Sequence, residues 1–171
     1  MGLQASTKER TAMITIQQEL ASEGWDEFLP LVVDHCKEIG QEAPDLNQEV
    51  LLMLEESGQL RCYTVRDEGV AVGYAIYLLE MNVMQQTRLI AKDVGLFLEK
   101  SHRGGITAVR LLKFAEVSMM GEGVAEVFQS IPADSPVGDL LLRLGYHRIE
   151  EVYTKTLEGG TEELTRLART R

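Results

Sequence analysis

The sequence predicts an α/β fold, with helices flanking a sheet of mixed strand direction. Two observations carry this. First, short apolar stretches with a period of two, such as Ile14–Ile16 and Leu89–Glu99, alternate with stretches whose apolar residues recur every three or four positions, such as Trp25–Ile39. Second, Asp93–Glu116 runs from an apolar strand through Arg103-Gly104-Gly105 straight into a long helix. At 171 residues the chain has the length of one domain with a real core.

The elements follow in order. Residues 1–12 are polar and aperiodic, which predicts a flexible extension ahead of a domain spanning 13–157. Ile14–Ile16 suits a short first strand. Trp25–Ile39 reads as an amphipathic helix through Trp25, Phe28, Leu29, Val32, Val33 and Cys36. Pro30 is unfavourable inside it and marks a candidate boundary, and Gly40 is a stop. His35 lies beside a charged face and reads as an ordinary solvated or capped histidine. Asp45–Ser57 is a second helix, capped by Asp45 or Asn47 and stopped by Gly58.

Leu60–Arg66 and Val70–Met81 flank Asp67-Glu68-Gly69, which predicts a hairpin. Tyr63, Tyr74 and Tyr77 read as core, and Gly73 as a bulge or close backbone approach. In Leu89–Glu99 the period of two puts Asp93, Gly95, Phe97 and Glu99 on one face and Val94, Leu96 and Leu98 on the other. An aspartate in an apolar strand needs a partner, such as Arg61, Arg88 or a backbone N–H, or else a function.

Gly105–Met120 is a helix with one narrow polar stripe of Thr107, Arg110, Lys113 and Glu116, so it lies against the sheet. Val124–Ser130 is a strand. Ser135-Pro136 opens a leucine-rich helix that Gly145 ends, with Ser135 as its cap. Tyr146–Ile149 and Glu151–Leu157 are expected as closing strands, and residues 158–171 as a tail.

Composition narrows the function classes. The hydrophobic fraction is 44% and the net charge −10, which argues against unspecific binding of a phosphate backbone. An acidic surface is compatible with a cationic substrate such as an amine. Cys36 and Cys62 form no C-x-x-C pair and read as buried thiols. The three histidines, His35, His102 and His147, lack ligand spacing, so no metal site is expected. With no signal peptide or apolar run of membrane-spanning length, a cytoplasmic protein is expected.

The strand, glycine turn and helix start make a candidate anion site. The first N–H groups of a helix have no intrahelical partner, and its dipole favours negative charge there. From Arg103 the run R-G-G-I-T-A-V-R-L-L resembles the acetyl-coenzyme A motif of the GNAT N-acyltransferases, Gln/Arg-x-x-Gly-x-Gly/Ala followed by a leucine pair. Arg103 takes its first position, Ala108 its sixth, and Leu111-Leu112 fall in register. Ile106 stands where the family has glycine, one residue after Gly105. The turn is similar to that of small phage and prophage members, which reads Arg-x-Gly-x-Thr-Gly/Ala. The segment L-L-L-R-L-G-Y is similar to the family's leucine-glycine-aromatic ending.

The resemblance implies a mostly antiparallel sheet and acetyl-CoA as acyl donor. It implies a pyrophosphate held by Arg103, Gly104, Gly105, Ile106, Thr107 and Ala108. It also implies a free strand-edge N–H at Phe97 or Leu98 for the thioester carbonyl and pantetheine. The two helices after the first strand wall the acceptor site in that family, and a homodimer is common there. The acceptor is then a small molecule or an exposed amine, with no nucleic acid and no membrane as partner. Its alternatives are a nucleotide or modified base, or a GNAT-fold binding protein without turnover.

An amine with a pKa of about 10 must lose a proton to react. Asp93 is the first candidate base, ahead of Glu99 and Glu80. The family's tyrosine acid is replaced by Leu141, and its asparagine by Asp134. Tyr153, with Tyr146, remains as a candidate acid.

Overall fold

The computed structural model describes residues 13–42, 46–85, 87–133 and 135–155. The expected extension 1–12, the tail 158–171, Asp45, Asp134 and the end of the last expected strand lie outside them. Five strands form one sheet in the order β1-β2-β3-β4-β5. They are β1 (Ile14–Glu19), β2 (Leu60–Asp67), β3 (Val70–Met81), β4 (Leu89–Leu98) and β5 (Val124–Phe128). The helices are α1 (Trp25–Glu38), α2 (Gln48–Glu56), α3 (Thr107–Gly121) and α4 (Val137–Arg143). The first four strands pair antiparallel, and β5 joins β4 parallel. A parallel neighbour needs a crossover, which α3 supplies. The chain divides into two compact units, one ending at Ser135 and one beginning at Pro136.

Several elements differ from expectation for local physical reasons. β1 continues three residues past Ile16, because Gln17, Gln18 and Glu19 pair with Thr64, Tyr63 and Cys62. The β2–β3 loop is only Glu68-Gly69, with φ of 50° and 91°, the positive values that a two-residue hairpin turn requires. α1 runs straight through Pro30. Pro30 is on the exposed side, where water can serve the carbonyl its missing N–H leaves free. Asn47 caps α2, its side chain accepting from Glu49 N and Val50 N. At α4 the cap position belongs to Pro136, one residue past the expected Ser135.

The closing strands do not form among the described residues. Residues 146–155 adopt neither strand nor helix. A strand exists only through a partner, and these residues have no ladder; Val152 and Tyr153 are 82% and 86% exposed. Their β-type composition was therefore insufficient.

In the first unit, the sheet carries a core on each face. On one, Tyr63, Val65, Ala75, Tyr77, Ala91 and Leu98 meet Leu111, Ala115 and Met119 of α3. On the other, Cys62, Tyr74 and Phe97 meet Phe28 and Leu31 of α1. Tyr63, Tyr74 and Tyr77 are all core residues, at most 2% exposed. α3 places Leu111, Ala115 and Met119 at four-residue steps, one helical stripe against the sheet. No described helix is long and apolar enough to cross a membrane.

Candidate functional site

The site begins where two strands part. β5 pairs with β4 from Leu89↔Val124 to Lys92↔Phe128 and no further, while β4 continues to Leu98. Beyond Lys92 the β5-facing edge of β4 carries no strand among the described residues. Glu99 N donates to Val72 O at 2.9 Å, on the β3 side. Consecutive N–H groups of a strand point in opposite directions, so Phe97 also faces β3, while Leu96 and Leu98 face the opening. Leu98 O fits this, since it turns away from β3 to accept from Arg103 Nε at 2.5 Å. Of the two residues expected to offer a free N–H, Phe97 turns its N–H toward β3 and Leu98 toward the opening. Leu96 joins it, one residue that the sequence reading missed.

The glycine turn lies at the end of this edge. A 3-10 turn, Lys100–His102, leads into Arg103 and then Gly104, whose φ of 85° suits glycine alone. A Cβ on Gly104 or Gly105 would meet nothing within 4 Å, so the turn is open to a ligand. α3 starts at Thr107 with Ile106 in the cap position and no side-chain cap bond. Its first backbone N–H groups, including those of Thr107 and Ala108, are the groups able to hold a phosphate. Arg103 itself folds back. Its Nη2 bonds Glu38 at 2.8 Å, and its guanidinium carbon lies 5.4 Å from the Phe97 ring centre. His102 Nε2 meets Asp67 Oδ2 at 3.1 Å and its Nδ1 meets Ser101 Oγ at 2.9 Å, which ties the turn to the β2–β3 hairpin.

Asp93 has changed faces relative to the sequence expectation. The register steps from Tyr77↔Asp93 to Ile76↔Gly95, leaving Val94 as a bulged extra residue. Asp93 therefore shares the α3 face with Leu96 and Leu98, and Gly95 and Phe97 share the α1 face. Its partner is a backbone N–H: Oδ1 accepts from Ser130 N at 2.5 Å. Arg61 and Arg88 pair elsewhere, with Glu122 and Glu126. Burial pushes the Asp93 carboxyl up, against the lowering effect of the Ser130 bond. Beside it, Tyr77 Oη donates to Gln129 Oε1 at 3.0 Å. Glu80 pairs with Lys92.

On the α1 face the structure assembles residues that no motif announced. His35 Nδ1 lies 2.8 Å from Tyr74 Oη. The imidazole stacks on Phe97, with 5.4 Å between ring centres and 28° between planes. A Cβ at Gly95 would stand 3.4 Å from both His35 Cε1 and Tyr74 Cε2. Burial lowers the pKa of His35; Glu38 raises it and Arg103 lowers it further. His35 is half-buried, not an ordinary solvated histidine. The signal was present in its spacing, since Phe28, Leu31 and His35 fall on one helical stripe. Next to this cluster is a cleft of about 450 Å³ lined by Asp34, Lys37, Glu38, Phe97, Glu99, Lys100 and Ser101.

In the second unit, Tyr153 donates to Glu151 Oε2 at 2.5 Å, which raises its pKa. Leu141 is buried within α4, and Tyr146 N bonds Leu141 O.

No protein-family model matches the chain, and no curated protein matches it. Solved structures do. A ribosomal-protein-alanine N-acetyltransferase from Brucella melitensis biovar Abortus 2308 aligns over 86% of this chain and 100% of its own, with TM-score 0.65 and 14% identity. An aminoglycoside acetyltransferase from an uncultured soil metagenomic sample aligns over 85% and 99%, with TM-score 0.71 and 16% identity. Aminoglycoside N-acetyltransferase AAC(6′)-Iy, solved in complex with CoA, aligns over 87% and 97%, with TM-score 0.67 and 17% identity. The chain has the GNAT acetyltransferase fold.

Proposed function

We propose that the protein is an N-acetyltransferase that moves the acetyl group of acetyl-CoA onto a primary amine by direct attack. One observation carries this reading: the opened β4 edge leads without interruption into the glycine turn and the uncapped start of α3. A long ligand with a pyrophosphate at one end and amide groups along its arm suits such a path. The α3 N–H groups take the phosphates, and the β4 edge takes the arm. The CoA complex of a protein with this fold supports the same donor.

The chemistry follows from the groups present. Leu96 and Leu98 N–H donate to oxygens along the opening, and one of them holds the thioester oxygen as its charge develops. Arg103 exchanges its Glu38 contact for phosphate when the donor binds. Asp93 ties the chain just past β5 to β4 through Ser130 and so fixes where the opening begins. Tyr153, whose bond to Glu151 holds its proton, does not serve as acid. The thiolate departs without one, since a thiol is a good leaving group with a pKa of about 8.5. The adjoining cleft carries Asp34, Glu38 and Glu99 against Lys37 and Lys100, a mixed lining with a slight acidic excess, and a small amine acceptor is in keeping with the aminoglycosides acted on by proteins of this fold.

Isothermal calorimetry with acetyl-CoA tests this. The expected result is binding, lost in Arg103→Glu. No heat at millimolar acetyl-CoA would overturn the reading. Leu141, at the position of the family's acid, favours a second reading in which CoA binds without turnover. Thiol release in the presence of amines separates the two.

A further inference from the structure

The cluster on α1 has a geometry that a core histidine does not require. Its Nδ1 is engaged by Tyr74 Oη, yet Nε2 has no hydrogen-bond partner among the described residues and is not sealed from solvent. The ring is held from three directions: by Tyr74 on β3, by the Phe97 face on β4, and by its own helix. Gly95 lets it approach the strand, because any side chain there would begin in contact with His35 and Tyr74. Gly95 and Phe97 alternate along β4 with Leu96 and Leu98, whose N–H groups face the opening. A carbonyl held by those N–H groups therefore lies beside the strand segment that His35 covers on the α1 face.

We propose that His35 Nε2 is the base that takes the proton from the attacking amine. This inference rests on the acetyl-transfer reading and adds to it the residue that completes the amine side. As the nitrogen attacks, the C–N bond forms and the carbonyl π electrons move to oxygen. The nitrogen becomes cationic, and its proton passes to Nε2. The oxyanion then collapses, the C–S bond breaks, and CoA leaves as thiolate. The imidazolium returns its proton to solvent or to the thiolate, which restores His35. Accepting at Nε2 requires the Nδ1–H tautomer, in which Nδ1 donates to Tyr74 Oη.

The electrostatic surroundings keep the imidazole neutral. Burial is the main cause, and Arg103 adds to it against Glu38. Asp34, Lys37, Glu99 and Lys100 line the adjoining cleft, and Tyr74 is the titratable group on β3. A neutral imidazole accepts poorly from a free ammonium but well from the acidic nitrogen of the tetrahedral intermediate.

The test uses the full chain, His35→Gln, and 1,3-diaminopropane as probe amine. Thiol release from acetyl-CoA is followed against pH, with acetyl-CoA affinity measured by calorimetry. The expected result is affinity within about twofold of wild type, which also shows that the variant folds. Turnover should fall roughly 10²–10⁴-fold, the range of general base catalysis. The acid limb of the pH profile, below about 6.5, should disappear. Added imidazole should restore part of the rate. Nitrogen-15 NMR of the acetyl-CoA complex at pH 7 should show His35 as the neutral Nδ1–H tautomer. An Nε2–H tautomer overturns the proposal. So does wild type that binds acetyl-CoA but releases thiol no faster than His35→Gln, and that result leaves the donor assignment standing. Wild type that binds no acetyl-CoA overturns both.

Discussion

Asp93 Oδ1 and Ser130 N, 2.5 Å apart, join β4 to the chain just past β5, beyond the last paired residues of the two strands. The bond crosses the mouth of the opening. Asp93→Asn keeps an oxygen there but removes the buried charge, while Asp93→Ala removes the acceptor. The expected order of thermal stability at pH 7 is Asn equal to or above wild type, and Ala below by about 0.5–1.5 kcal/mol, the net worth of one hydrogen bond whose donor water can serve. The pH dependence has a definite sign. Burial raises the Asp93 carboxyl in the folded state, so the folded protein holds this proton more tightly than the unfolded chain. The associated stability is fully present below the unfolded value of about 3.9 and is lost as pH rises through the folded one. The advantage of Asp93→Asn should therefore grow from pH 3 upward, which differential scanning calorimetry measures.

Gly73 and Gly95 make a paired test of how closely the layers meet. A Cβ on Gly73 would stand 2.7 Å from both Phe97 O and Leu98 Cδ1, and backbone cannot move aside cheaply. Gly73→Ala should cost about 1–3 kcal/mol in urea unfolding, as overpacked sites do. At Gly95 the nearest atoms are 3.4 Å away and belong to side chains that can shift. Gly95→Ala should cost less than Gly73→Ala, yet should lower turnover by displacing His35. The reverse order of stabilities would contradict the packing described.

Gly105 separates folding from ligand binding. It has no positive φ, and a side chain there would project into open space. Gly105→Val should leave the melting temperature near wild type. It should weaken acetyl-CoA binding by at least about tenfold, ~1.4 kcal/mol, because the side chain occupies the space above the turn. Unchanged affinity in calorimetry would move the phosphate site elsewhere.

Tyr153 is 86% exposed and donates to Glu151, which raises its pKa, and the proposed function gives it no part in proton transfer. Tyr153→Phe should retain wild-type thiol release across pH 6–9. A rate loss of tenfold or more would restore Tyr153 as a donor to the leaving thiolate.

Local periodicity made most of the first unit legible. The apolar stripe Leu111, Ala115, Met119 and the stops at Gly40 and Gly58 place α1–α3 within a few residues, because they depend on neighbours in sequence. The donor side of the candidate site was legible for the same reason, as a contiguous strand, turn and helix. What failed depends on pairing at a distance. Val94 looks like any alternating residue, and only its match against β3 shows that it is extra. Tyr146–Ile149 has strand-forming residues but joins no strand ladder among the described residues. The Arg103–Glu38 contact spans 65 positions, and nothing in either segment alone announces it.

The bulge at Val94 has an effect on how such a protein can change. It exchanges the phase of β4, so that even-numbered residues beyond it, Leu96 and Leu98, share the α3 layer with Asp93, while Gly95 and Phe97 serve the α1 layer. Under the proposed function, one strand would serve the acceptor through residues 95 and 97 and the donor through 96 and 98. A single-residue deletion at 94 would remove the bulge and leave both sets on their layers, since Asp93 and Gly95 already face the adjacent residues Tyr77 and Ile76.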